Sequence, residues 1–286
     1  MKLARLLPLS LPVAGLLATS SSPSPTRTNP RPRRRRPPCP WPNEAKPIRV
    51  LHLTGGCCHD YEKQKVILEA GVGERANTKF TVVHEGGKGT KYQFPMLKEP
   101  GWEKDYDVVL YNICFAHEED KNYVESITKV TKPDCPPSPY TARSTPTTGR
   151  SGPTSEEKLL GVTSPRHGKH APITVKKVKD HPIMKGFPEE WTTPQGELYH
   201  VDKTWDTATA LAEGTIDGWK NKHECIWVNQ YGKARVFATT IEYHNETMLE
   251  DTYLDLVSAG ILWVTSHLND DGTPAEGFGR RSLRVD

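Results

Sequence analysis

The sequence predicts an α/β fold with a mostly parallel central sheet flanked by helices. Short, largely apolar runs at 48–53, 80–83 and 107–111 have the length and content of strands buried on both faces. Stretches with helical spacing separate these runs, and strands that alternate with helices pair in parallel through right-handed crossovers. The best helix in the chain closes the pattern, over 251–268.

The first strand, Ile48 to Leu53, is broken by Gly55-Gly56, and a helix is expected from about Tyr61 with Val66, Ile67 and Ala70 on one face. A second helix is expected over 123–130, where Val124, Ile127 and Val130 recur every third residue. Ile173 to Val178 alternates apolar and polar side chains over part of its length, as a half-buried strand does. Cys225 to Asn229 and Arg235 to Thr239 flank a short turn and read as a hairpin. In the final helix, Leu254, Val257, Ile261 and Val264 share one face.

The 286 residues divide unevenly in charge. Residues 1–46 hold nine of the 38 Lys and Arg but one of the 35 Asp and Glu, so the rest is mildly acidic, with 29 basic against 34 acidic residues. A nucleic-acid partner, which wants a basic face, loses its main support. Residues 1–20 read as a signal peptide: Lys2 and Arg5 precede a short apolar run, Leu6 to Leu17, and small residues follow at 18–20. Export to the periplasm or the extracellular space is the expectation, with no transmembrane span in the mature form. Residues 21–46, rich in Pro, Ser and Arg, read as a disordered linker. The folded domain is expected over 47–268, with a tail at 269–286. Six cysteines show no zinc-ribbon spacing, and adjacent Cys57-Cys58 is a pairing that rarely shares one metal or forms a bridge.

One strand is missing from this pattern. After the helix at 123–130, residues 133–156 are Pro-, Ser-, Thr- and Arg-rich, and Pro136, Pro137 and Pro139 cannot sit in a central strand. Shifting the codon frame from Cys135 onward permits Pro-Ala-Val-Ala-Leu-His-Cys-Thr, a strand ending in a histidine. The segment is either frame-shifted, the favoured reading, or a true insertion.

Several motifs carry a family resemblance. His181-Pro182-Ile183, Gly186-Phe187-Pro188, Gly196-Glu197-Leu198-Tyr199, Trp227-Val228-Asn229-Gln230-Tyr231-Gly232-Lys233 and Arg235 to His244 occur in that order, after an opening strand that ends Thr54-Gly55-Gly56 with His59-Asp60-Tyr61 beyond it. The chain resembles the ThuA-like (trehalose utilisation) family, which implies a flavodoxin-like, class I glutamine amidotransferase-like fold and a sugar or sugar derivative as small-molecule ligand. Glu242-Tyr243 before His244 departs from the small residue usual there.

Ligands of open parallel sheets sit beyond the carboxyl ends of the strands. Position and resemblance together nominate His59, Glu197 and His244 as catalytic residues, since a carboxylate beside an imidazole is a tunable proton carrier. Thr54, Gly55, Gly56, Asp60, Tyr61 and Gln230 are nominated as ligand contacts. His181, before a proline, reads as a turn histidine. Trp191, Trp205 and Trp227 suit either sugar stacking or a core. No Gly-x-Cys-x-Gly elbow, phosphate loop or dinucleotide fingerprint occurs, so glutaminase and nucleotide chemistry are not expected. The residues specify neither a cofactor nor a metal; His59, His244 and the lost histidine are a weak candidate for zinc. An enzyme and a non-catalytic binding module both remain open.

Overall fold

The computed structural model describes residues 45–128, 140–141 and 155–279. The expected signal peptide, the expected linker up to residue 44, and all of 133–156 except Tyr140–Thr141 and the start of the next helix lie outside the described residues.

In chain order, β1 (Ile48–Gly56) leads into α1 (Tyr61–Gly73) and β2 (Thr78–His84), then β3 (Val108–Cys114) and α2 (Lys121–Thr128). Next come β4 (Tyr140–Thr141), α3 (Ser155–Leu160), β5 (Val162–Thr163), β6 (Arg166–His170), β7 (Thr174–Lys177), β8 (Glu190–Thr192), β9 (Glu197–His200) and β10 (Lys203–Thr204). The long strands β11 (Ala208–Thr215), β12 (His223–Tyr231) and β13 (Ala234–Thr239) precede α4 (Asn245–Met248) and α5 (Asp251–Val264).

Nine strands form one sheet in the order β2-β1-β3-β4-β13-β12-β11-β7-β8. The first four pairings, from β2 to β13, are parallel, and the next four are antiparallel. The expected mostly parallel sheet is therefore half of a mixed one. The cause is connection length: a two-residue turn, Gly232-Lys233, joins β12 to β13, and a turn that short permits only antiparallel pairing. The slot of the missing strand is filled in part. Tyr140 pairs with Val109 and Val236, and Thr141 with Leu110 and Phe237, so the central strand is two residues long in the described chain, not absent.

β3 is buried at every position, as the middle strand of a covered sheet should be. α5 packs Leu254, Val257, Ile261 and Val264 into the core as its spacing predicts. Each fully buried aliphatic side chain of this kind contributes roughly 1.5–3 kcal/mol. α1 departs from expectation. Its buried stripe is Tyr61, Gln64, Leu68, Gly71 and Val72, while Val66 is exposed. The polar Gln64 hid that stripe. It lies buried because its amide donates to the carbonyls of Glu242 and Tyr243 and accepts from Asn112 Nδ2. The start of the expected tail also folds: Asn77 N–H donates to the Phe278 carbonyl, and Phe278 joins the core. No helix among the described residues is long and apolar enough to cross a membrane.

Candidate functional site

Two segments from different halves of the chain meet at one cleft of about 300 Å³, lined by Cys58, His59, Arg166, His167, Glu197 and Tyr199 among others. That volume is at the lower end of small-molecule sites.

The first segment is the turn after β1. Gly55 and Gly56 take φ of 139° and 113°, and a Cβ on either would lie 2.1 Å from a backbone oxygen, that of Glu85 or of Cys114. No other residue type fits there. The pair shapes the turn but does not line the cleft. Asp60 caps α1, accepting from Lys63 N–H, and its other carboxylate oxygen accepts from Asn245 Nδ2 at 2.9 Å. This bond ties the β1 turn to the start of α4. Tyr61 is buried with its ring stacked 5.3 Å from that of His59. Burial, with His167, His244 and His170 nearby, lowers the His59 pKa to about 4 against a weaker pull from a backbone hydrogen bond with Glu242. The ring is therefore neutral at physiological pH, and its Nδ1 is buried without a hydrogen-bond partner among the described residues.

The second segment is the β6–β9 ribbon. Arg166 pairs with His200 and His167 with Tyr199, but His170 pairs with Glu197, so β6 spends three residues where β9 spends two. Such a bulge re-aims side chains. Here it turns His167 and His170, which a regular strand would point to opposite faces, toward one carboxylate. His170 Nε2 lies 2.6 Å from Glu197 Oε1, and His167 Nδ1 lies 3.5 Å from the same oxygen. Glu197 is buried, whereas the imidazole side chains are 43% and 46% exposed, so the proton-bearing groups face solvent and the carboxylate backs them. Burial raises the Glu197 pKa, opposed by the two histidines. Donor atoms of His167, His170 and Glu197 all lie within 4.8 Å of one another, a two-histidine, one-carboxylate set able to hold a divalent metal.

Rings join the two segments. Tyr243 stands 4.8 Å from His59 and 4.3 Å from His170, centroid to centroid. His244, just before α4, packs 4.4 Å from Tyr243 and 5.7 Å from His170, edge-on to both. Its pKa is lowered by burial. Of the three nominated catalytic residues, His59 and Glu197 line the cleft, while His244 supports it from beside His170. The third histidine of the expected His59, His244 metal set falls outside the described residues, whereas His167, His170 and Glu197 already form a close group.

The nominated ligand contacts fare less well. Thr54 is fully buried within β1 and does not reach the cleft. Gln230 lies at the other edge of the sheet. β12 runs antiparallel to β13, so the end of β12 sits beside the start of β13, where Gln230 pairs with Arg235 and its amide donates to the Gly232 carbonyl. Trp227 is a core residue whose indole donates to the Leu160 carbonyl, and Trp191 is also buried. His181 is the turn residue expected, accepting from Ile183 N–H. The reading missed His167, His170 and Tyr243. The His-x-x-His spacing of 167 and 170 was the available signal.

The ThuA family model, described as trehalose utilisation, matches residues 144–264. That span holds His167, His170, Glu197, Tyr243 and His244 but not the β1 turn. A ThuA-like protein from Parabacteroides merdae ATCC 43184 is similar in structure, with a TM-score of 0.57 at 15% identity over 82% of this chain and 97% of that one. Another from Bacteroides uniformis ATCC 8492 gives 0.56 at 13% identity over 80% and 96%. A beta-galactosidase from Bacillus circulans sp. alkalophilus gives 0.51 at 11% identity, over 78% of this chain but 32% of its own. At these identities the likeness concerns fold alone. No curated protein matches the chain in sequence. Over residues 144–264 the chain is similar in sequence to the ThuA family, and its fold is similar to that of the two ThuA-like proteins.

Proposed function

We propose that this ThuA-like chain acts on a sugar or an oxidised sugar derivative by acid–base chemistry, with Glu197, His170 and His167 as the proton-transfer group. The family description points to the substrate class. The observation that carries the chemistry is the 2.6 Å contact of His170 Nε2 with a buried Glu197 carboxylate at the cleft. A carboxylate held against an imidazole fixes the ring's tautomer and orientation, so the exposed ring can take a proton from bound ligand and return it. His59, held neutral by burial, is suited to hydrogen-bond a ligand hydroxyl or carbonyl. His244 and Tyr243 hold the His170 ring in place by packing. Residues 1–20, read as a signal peptide, support an exported location for this activity.

The test is solvent exchange. The full chain is incubated in D2O with a panel of sugars and their keto derivatives, and the carbon-bound protons next to the carbonyl are followed by NMR. Deuterium incorporation that Glu197→Gln abolishes supports the reading. Ligand-induced shifts of the protein without any exchange or product identify a binding module, and silence in both overturns the sugar assignment.

A further inference from the structure

Three cysteines beside the cleft take no part in the chemistry above. Cys57 and Cys58 follow the two glycines of the β1 turn, and Cys114 ends the neighbouring strand β3. Adjacent residues of an extended chain point apart, which is why Cys57-Cys58 looked unsuited to share a ligand. The structure removes that objection. Gly56 pairs with Cys114 across the two parallel strands, and Cys57 N–H donates to the Cys114 carbonyl at 3.1 Å, which sets Cys57 Sγ 3.7 Å from Cys114 Sγ. Cys58 takes a left-handed φ of 86°, rare for a residue with a Cβ, and this brings its thiol back toward the same point. The three sulfurs lie within 4.8 Å of one another. Cys58 and Cys114 also line the cleft, which gives a ligand a route in.

The chemistry of the cluster narrows what it can take. Three thiols that converge on one point form a ligand set for a cation that displaces their protons. With metal–sulfur bonds of about 2.3 Å, a trigonal three-sulfur site spaces its sulfurs about 4 Å apart, close to the spacing already present. All-sulfur ligation selects soft ions, and three sulfurs fall short of the four ligands that structural zinc takes.

We propose that Cys57, Cys58 and Cys114 form a three-thiolate site for a soft monovalent cation, Cu(I), in the wall of the cleft. Binding exchanges thiol protons for metal–sulfur bonds, with up to three protons released to solvent and no change of oxidation state. The site shares no ligand with the acid–base group and does not depend on that reading.

The experiment is an anaerobic titration of the full chain with Cu(I), against bathocuproine disulfonate as competitor. One equivalent per chain is expected. Cys57→Ser and Cys58→Ser should each weaken binding at least 100-fold, while Cys225→Ser and the double variant Cys39→Ser with Cys135→Ser should leave it unchanged. Since Cys114→Ser sits in a buried strand, the third ligand is checked on the unaltered chain by copper X-ray absorption, with three sulfurs expected around the metal. Retention of the equivalent in a Cys57→Ser, Cys58→Ser double variant overturns the assignment, as do a two-sulfur coordination shell or equal affinity for Zn(II).

Discussion

The β1 turn and the β6–β9 ribbon supply opposite walls of one cleft but are built on different principles. The turn is made by backbone: two left-handed glycines, a capped helix and buried rings leave its side chains little freedom. The ribbon is made by side chains: two half-exposed imidazoles converge on one buried carboxylate because a bulge adds one residue to β6. The lesson is that one wall should fail through its fold and the other through its chemistry.

The largest effect expected is on the ribbon. Glu197→Gln should lower sugar-dependent exchange by roughly 10²–10⁴-fold, the range for losing a general acid–base group, with a melting temperature close to that of the parent. His59→Gln, on the other wall, should cost about tenfold, since a neutral hydrogen-bonding group is worth about 1–1.5 kcal/mol. Rates measured side by side check this, and an equal loss from both would erase the distinction.

Stability should show the reverse order. Gly56→Ala places a Cβ against the Cys114 carbonyl in a strained backbone and should cost roughly 2–4 kcal/mol in urea unfolding. In the ribbon, the atoms nearest a Cβ at Gly168 belong to the half-buried ring of Trp219, a side chain and not backbone, and Gly168→Ala should cost less, about 1 kcal/mol. If Gly168→Ala proves the more damaging, the ribbon is the more rigid wall.

Acid sharpens the contrast because the two regions titrate with opposite sign. His52 in β1 and His59 have folded pKa values lowered to about 3 and about 4, so the unfolded chain binds more protons. Their contribution is complete above about pH 6.5 and is lost as pH falls toward those folded values, at up to about 1.4 kcal/mol per pH unit for each group. Glu197, with its folded pKa raised, stabilises at low pH and loses that contribution as pH rises. Unfolding free energies from pH 7 to 4 should therefore decline, less steeply in His59→Gln and more steeply in Glu197→Gln.

The smallest effect is expected at Gln230. Gln230→Ala should change stability by less than about 0.5 kcal/mol and leave exchange untouched, because the residue is exposed on the far edge of the sheet. Any loss of exchange in this variant would mean that the far edge contributes to the site.

How much of this was legible in the sequence varies by residue. Gly55-Gly56 announced a turn because glycine has few other reasons to stand in pairs after a strand, and His59 was found by its place beyond it. Glu197 and His244 were found through resemblance and position. His167 and His170 were in plain view as His-x-x-His, but strand periodicity assigns them opposite faces, and only the pairing with β9 shows the extra residue between them. Gln64 lies outside the face predicted for α1, and what buries it is a pair of acceptors nearly 180 positions away, the carbonyls of Glu242 and Tyr243.

By itself the sequence determined what depends on neighbours along the chain: the strand–helix alternation of 48–84, the hairpin around Gly232, the buried stripe of α5 and the sharp turn at Gly55-Gly56. Periodicity and backbone sterics act over a few residues, so they can be read from a few residues. The tertiary structure alone decided which pairings are antiparallel, which edge of the sheet Gln230 occupies, where Tyr140–Thr141 fits between β3 and β13, and which imidazoles meet Glu197. Each of these depends on register against a distant strand, and a shift of one residue reverses every side chain that follows it.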